Sequence, residues 1–199
     1  IRPSLNGSKG VIDDRQRSTY SMYSMLPWDS PYDENGKIVG NRSSAWVNSN
    51  STNYLYELQY NWSKYDSYSF NGNFDFDIYL TDWLTFSSVN SYRWSTHLDK
   101  SYVDPRTSGA EDKGRVSEST STNTRRYTNQ LIKATRSFGD YHGFLMLGYE
   151  FNDGEYRYHN GSGTGLVPGF AQLDITSTPE SVGGNKYEWA VQSFFANLN

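Results

Sequence analysis

Cysteine is absent from this sequence, which excludes disulfides and thiolate metal sites and leaves the fold to packing and hydrogen bonds. Long apolar runs are absent as well. With no stretch of about 18 apolar residues, nothing in the sequence reads as a transmembrane helix. Charge of one sign is not in surplus either: the formal net charge is −4, which offers no basic footprint for nucleic acid and too little field to steer a ligand. Leu, Ile and Val are scarce beside Ser, Asn, Thr and Gly. Such polarity would suggest disorder if it stood alone.

Aromatic residues overturn that suggestion. They make up 17% of the 199 residues, with Tyr 17 and Trp 6, and many recur at every second position. Between Tyr68 and Leu80 the even positions read Tyr68, Phe70, Gly72, Phe74, Phe76, Ile78 and Leu80. The odd positions read Ser69, Asn71, Asn73, Asp75 and Asp77. Side chains alternate faces along a strand, so one face is apolar and the other suits water. The run exceeds both the usual strand of ~5–6 residues and the ~9–11 that cross a bilayer in a tilted barrel. A second alternating segment follows Thr81-Asp82. It places Leu84, Phe86, Tyr92 and Trp94 on one face and Thr85, Ser87, Ser91 and Arg93 on the other, with Trp83 and Val89 out of step.

Taken in order, Ile1–Ser8 suits the end of a strand. Val11–Leu26 reads as a short helix, with Asp13 or Asp14 as cap, Tyr20, Tyr23 and Leu26 on one face, and Pro27 as stop. Asp33-Glu34-Asn35-Gly36 is a strong turn signal. Residues 54–62 suit helix and strand equally. The expected organisation is one partial barrel domain over 1–199. It has a loop region at 9–65 and strands at about 66–80, 83–97, 125–138, 141–159 and 187–199, and the chain reads as a piece of a larger one. Turns at 81–82 and 139–140 are very short, whereas the connections 100–124 and 161–186 are long. Short turns at one end and long loops at the other mark outer-membrane β-barrels, whose long loops are extracellular. Tyr79 and Trp83 at one short turn, and Phe138 and Tyr141 at the other, would stand at a membrane–water interface. The fold class expected is therefore all-β: an antiparallel transmembrane β-barrel segment with long extracellular loops and one short loop helix. A soluble secreted β-sandwich module that binds carbohydrate is the alternative.

With those segments placed, the sequence resembles the SusC/RagA family of TonB-dependent outer-membrane transporters of Bacteroidetes. The resemblance rests on MLPWDSPYDENGKIV (Met25–Val39), YLTDWLTFSSVNSYRW (Tyr79–Trp94), FGDYHGFLMLGYEF (Phe138–Phe151) and SFFANLN (Ser193–Asn199). Ala196-Asn197 stand where the family commonly has Gly-Arg. The resemblance implies a barrel of about 22 strands, a plug and TonB box outside these residues, and a SusD-like surface lipoprotein as lid. It implies import of oligosaccharide or peptide, with the TonB complex and outer-membrane lipid as further partners, and localisation in the bacterial outer membrane.

No catalytic residue is assigned, and the chain is not expected to be an enzyme or to carry a cofactor or metal. Asp75 and Asp77 lie about 6.6 Å apart on one strand face, a spacing that would suit a carboxylate pair. Neighbours on one strand do not oppose one another across a cleft, so both are assigned, with Asn71 and Asn73, to a wet lumen wall. His97, His142 and His159 lack ligand spacing. Asp33–Gly36 lacks the carboxylate ladder of a calcium loop, and Gly161–Gly165 lacks the Lys-Ser/Thr of a phosphate loop. Loop aromatics remain. Trp28, Tyr32, Trp46, Tyr54 and Tyr56 stand among Asn, Asp and Ser, and flat rings beside amides and carboxylates suit sugar binding, by stacking on C–H faces and hydrogen bonds to hydroxyls.

Overall fold

A computed structural model describes residues 1–14, 22–48, 51–107 and 113–199. Its frame is one antiparallel sheet of six strands in sequential order, β1 Arg2–Asp14, β2 Trp62–Thr81, β3 Leu84–Val103, β4 Arg115–Phe138, β5 Tyr141–Thr164 and β6 Thr178–Leu198. Each of β2 to β5 lies between its two sequence neighbours, so the sheet is a continuous meander. The helix α1, Tyr54–Tyr60, leads into β2, and Asn53 caps it by accepting from the Leu55 N–H. Asp82 and Trp83 alone join β2 to β3, and Gly139 and Asp140 alone join β4 to β5. Gly139 has φ 60°, which a glycine adopts without strain.

Several boundaries differ from those expected. Strand β1 runs to Asp14, so Val11–Asp14 is extended rather than helical. Residues 15–21, including Tyr20, lie outside the described residues, and Met22 and Tyr23 are helical. Strand β2 starts at Trp62, inside the expected loop region 9–65. The tracts 115–124 and 178–186, expected as loops, are strand. Their sequence is largely polar or small on both faces (RVSESTSTNT and TPESVGGNK), which hides any alternation, yet backbone pairing to β3 and β5 continues through them. The long connections accordingly shrink to residues 104–114 and 165–177. Asp82-Trp83 takes the turn one residue later than Thr81-Asp82, because a bulge between Tyr79 and Thr81 shifts the register.

Cross-strand register assigns the two faces. Phe74 pairs with Asn90, Ile78 with Phe86, Phe86 with Ile132, and Ile132 with Leu147. Leu147 in turn pairs with Ala196, and Tyr149 with Phe194. Leu5, Phe70, Phe74, Ile78, Ile132, Leu147, Phe194 and Leu198 thus form one apolar face, and all are exposed. Its rings touch: Phe74–Phe76 at 5.5 Å, Phe76–Phe86 at 6.1 Å and Tyr149–Phe194 at 5.1 Å between centroids. From Leu84 to Trp94 this band covers ~33 Å of strand, which at a barrel tilt of about 40° stands ~25 Å tall. From the rows of Tyr92 and Trp94 outward the same face carries the ion pairs Arg126–Asp153, Glu155–Arg157, Lys186–Glu188 and Lys100–Glu118.

Polar residues are stitched into the apolar band. Ser88 and Asn90 face it, and Val89 faces the other way. The Asn90 amide donates to the Phe74 carbonyl (3.0 Å) and Ser88 Oγ (2.8 Å), and its oxygen accepts from Thr128 (2.7 Å) and Gln130 (3.3 Å). The apparent break of parity at Val89 is therefore genuine alternation with the polar partners satisfied on the apolar side.

The core sits at the long-loop end. Tyr102, Val116 and Leu166 are buried together, with Trp62, Ala171 and Leu173 packed against them. A 3-10 turn at Leu173–Ile175 lets residues 165–177 fold back over the strand ends, where Leu173 covers Gly161.

Candidate functional site

Three connections meet at the long-loop end, and buried polar side chains hold them. Asn53, with no exposure, is the centre of the first, residues 22–61. Its amide donates to the Pro31 (2.9 Å) and Val39 (2.8 Å) carbonyls, and its N–H donates to Asn41 Oδ1 at 2.6 Å. The Asp33 carboxylate accepts from the Asn35 and Lys37 N–H groups at 2.9 and 2.8 Å, closing the turn in which Gly36 has φ 77°. The carboxylate that could have suggested an ion site is thus engaged by backbone.

Asp104 is the second centre. Its side chain is buried and accepts from the Arg106 N–H (2.9 Å), Nε (2.7 Å) and Nη2 (2.7 Å), from the Tyr102 hydroxyl (2.8 Å) and from the Gly169 N–H (3.3 Å). Burial alone would raise its pKa. The hydrogen bonds from Arg106 and Tyr102 outweigh it and hold the carboxyl below the ordinary range. The same pairing raises the Arg106 pKa. The Arg106 guanidinium lies 3.9 Å from the centroid of Tyr60, at the end of α1. Asn61 Oδ1 accepts from the Asp104 N–H at 2.9 Å, and Arg42 donates to the Pro105 carbonyl at 2.6 Å. The loops 22–61, 104–107 and 165–177 are therefore one hydrogen-bonded body.

The five loop aromatics separate on this body. Trp28 is 74% exposed and Tyr32 47%. Tyr32 borders a shallow concavity with Ser30, Asp33, Glu34, Asn35 and Ala45. Trp46 is buried, and its indole donates to the Ser51 carbonyl at 2.8 Å. Tyr54 and Tyr56 are half-buried. Tyr56 packs edge-on against Tyr60 at 5.1 Å and against Gly40. Of the five, only Trp28 and Tyr32 therefore present exposed rings to an incoming molecule, while Trp46 shapes the loop.

Asn71, Asn73, Asp75 and Asp77 share the polar face of β2. Arg2 reaches Asp77 at 3.4 Å, and Asp75 Oδ1 is buried without a hydrogen-bond partner. The histidines stay apart: His97 bonds Tyr65 at 2.6 Å, His142 bonds Ser137 at 2.7 Å, and His159 lies beside Gly184. Among the described residues no group of three His, Asp or Glu could hold a metal. The buried Asn53, Asn61 and Asp104 were not singled out from the sequence. Asn53 carried a readable signal, as a capping residue directly before an apolar-aromatic run.

No protein-family model matches the chain, and no curated protein matches it. Solved structures do. The chain is similar to the RagAB peptide importer in its closed-closed state, with TM-score 0.71 and 16% identity over 99% of this chain and 24% of that one. Against the open-open state of that importer the TM-score is 0.65, with 16% identity over 99% of this chain and 23% of that one. The chain thus spans about a quarter of the length of the proteins it matches, and its all-β antiparallel sheet has the fold of that portion of the RagAB importer.

Proposed function

We propose that this chain is part of the wall of an outer-membrane importer barrel, with its apolar face toward lipid and its polar face toward the lumen. One observation carries the reading. A single meander has an exposed apolar band about 25 Å tall, two-residue turns at one end and a folded loop body at the other. In water an exposed band of that size would be an aggregation hazard, whereas in a bilayer it is the required surface. Strands of 20 to 24 residues in β2 to β5 span roughly 65–80 Å. They cross the bilayer and continue outward, which a sandwich strand has no need to do.

The short turns Asp82-Trp83 and Gly139-Asp140 then face the periplasm and the loop body faces outside. Similarity to a peptide importer favours peptide cargo over oligosaccharide. A SusD-like lipoprotein would meet the loop body, and coupling to TonB would use parts of the protein beyond these residues. Exposed Trp28 and Tyr32 would touch cargo or lipoprotein.

Orientation and activity are tested together on the full-length protein in cells. Single cysteines replacing Val167 and Asp140 are treated with an impermeant thiol reagent, and uptake of a fluorescent peptide and a fluorescent oligosaccharide is measured alongside. Labelling at position 167 alone, with uptake of the peptide, is the expected result. Labelling at 140 alone, or a protein released without detergent, overturns the reading.

A further inference from the structure

On the polar face, Arg93 of β3 pairs directly across the ladder with Arg125 of β4. Side chains directly opposite in an antiparallel pair have Cβ atoms ~5 Å apart, and like charges there destabilise the sheet. Both arginines are exposed, and among the described residues neither forms an ion pair or side-chain hydrogen bond. Cations on the other face behave differently: Arg126 reaches Asp153, Lys100 reaches Glu118, and Lys186 reaches Glu155 and Glu188.

Register explains the lack of a partner. The nearest acidic residues of that face below the pair, Asp75 and Glu150, share the row of Val89 and Asn129, and Asp77 lies further down, opposite Ser87. The Val89 row lies four positions down β3 from Arg93, about 13 Å. Around the two arginines the face is concave and lined by Ser69, Asn71, Ser95 and Asn123, all able to donate hydrogen bonds. On the opposite face Tyr92 and Trp94 mark the same height, where the apolar band gives way to ion pairs.

We infer that Arg93 and Arg125 form a carboxylate-binding site on the inward face of the sheet, which takes the carboxylate of a peptide in transit. Two guanidinium groups held side by side with no acid between them match the fork geometry of one carboxylate, and binding it relieves their mutual repulsion. At the outer limit of the apolar band the site would be met by cargo arriving from the loop end. This inference rests on the import reading for the source of the carboxylate, not for the chemistry of the pair.

The test uses the full-length protein and two probes, penta-alanine with a free C-terminal carboxylate and the same peptide amidated. Binding to purified protein is measured by calorimetry, and uptake is measured in cells, for wild type, Arg93→Gln, Arg125→Gln, the double variant and Arg126→Gln. Wild type should bind the free acid on the order of tenfold more tightly than the amide, the ratio expected of a charge-assisted hydrogen bond. The double variant should lose that preference and keep amide binding, with Arg126→Gln unchanged. Binding preference without uptake supports the site and overturns import. An unchanged preference in the double variant, no preference in wild type, or an equal loss for both peptides overturns the site.

Discussion

The Asn53 amide donates to the Val39 carbonyl at 2.8 Å from a position with no solvent exposure, and the same amide donates to Pro31. One side chain thereby closes the segment between the Asp33 turn and helix α1. Replacing Asn53 by Ala removes both amide bonds and the helix cap, leaving the Val39 carbonyl without its donor at about 1–3 kcal/mol, while the Pro31 carbonyl keeps the Val39 N–H. Limited proteolysis of the full-length protein should show new cleavage within 22–61 for Asn53→Ala, with the strands still protected. Unchanged protection would mean that the loop is held by packing alone.

The Asp104–Arg106 pair predicts how the loop body responds to acid. The Asp104 pKa is lowered on folding, so its stabilising contribution is fully present above the unfolded value of about 3.9. It is lost as pH falls below that value through the folded pKa. The body should therefore be indifferent to pH between 5 and 8 as far as this group is concerned (a window taken as roughly that of ordinary maximal stability) and loosen only in stronger acid. Hydrogen exchange at the Gly169 amide, which donates to Tyr102 at 2.9 Å, is the measurement. In Asp104→Asn that amide should exchange faster at neutral pH and lose its acid-dependent step. Loosening already near pH 6 would assign the switch to another group.

Phe74 on the apolar face and its neighbour Asn73 on the polar face give a matched pair. Arginine at 74 should destabilise the barrel by ~2–4 kcal/mol if the site lies near the bilayer midplane, and arginine at 73 should cost little. Heat-dependent electrophoretic mobility of the folded barrel would compare them. Equal tolerance would sink the assignment of the two faces.

Asn90 predicts a subtler result. In Asn90→Leu the Thr128 hydroxyl loses its acceptor within an apolar surround, at a cost of about 1–3 kcal/mol, while Gln130 keeps its bond to Thr128. Adding Thr128→Val and Gln130→Leu should recover most of the loss, because removing both partners of a hydrogen bond is nearly neutral where removing one is not. A triple variant less stable than the single one would place these residues against water or another polar surface instead of lipid.

Such residues show where the fold was legible. Along β2 the even positions from Phe70 to Ile78 are apolar and the odd ones polar, so both faces could be read directly. In β3 the stitched Ser88 and Asn90 blurred the pattern. In β6 it was hidden: Phe194 and Leu198 lie on the apolar face, but Trp189, Val191 and Phe195 lie on the other, where Trp189 and Phe195 cover Gly154 and Gly148. Above the apolar band both faces of a strand meet polar surroundings. Binary patterning therefore vanishes, and 115–124 resembled a loop. The loop body was less legible, because its centres Asn53, Asn61 and Asp104 act through partners distant in sequence, such as Asn61 on Asp104. Burial of Trp46 and exposure of Trp28 have no signature in either residue's immediate sequence.

That last contrast carries a functional prediction. Trp46 is packed and hydrogen-bonded to the Ser51 carbonyl, so Trp46→Ala should open a cavity and cost about 3–5 kcal/mol of local stability. Increased proteolysis of the loop body should follow, whatever the cargo. Trp28 is free, so Trp28→Ala should leave the loop intact and act only through what lands on it. An aromatic anchor at the centre of an interface is worth at least ~2 kcal/mol, and a ring at its rim far less. Peptide uptake and co-purification of a lipoprotein partner are measured for both variants in the full-length protein. Lost uptake with the partner retained would place Trp28 on cargo, and a lost partner would place it under the lipoprotein. If Trp28→Ala changes neither, the exposed ring belongs to no site. If Trp46→Ala keeps a protease-resistant loop, the packing role given to that indole is wrong.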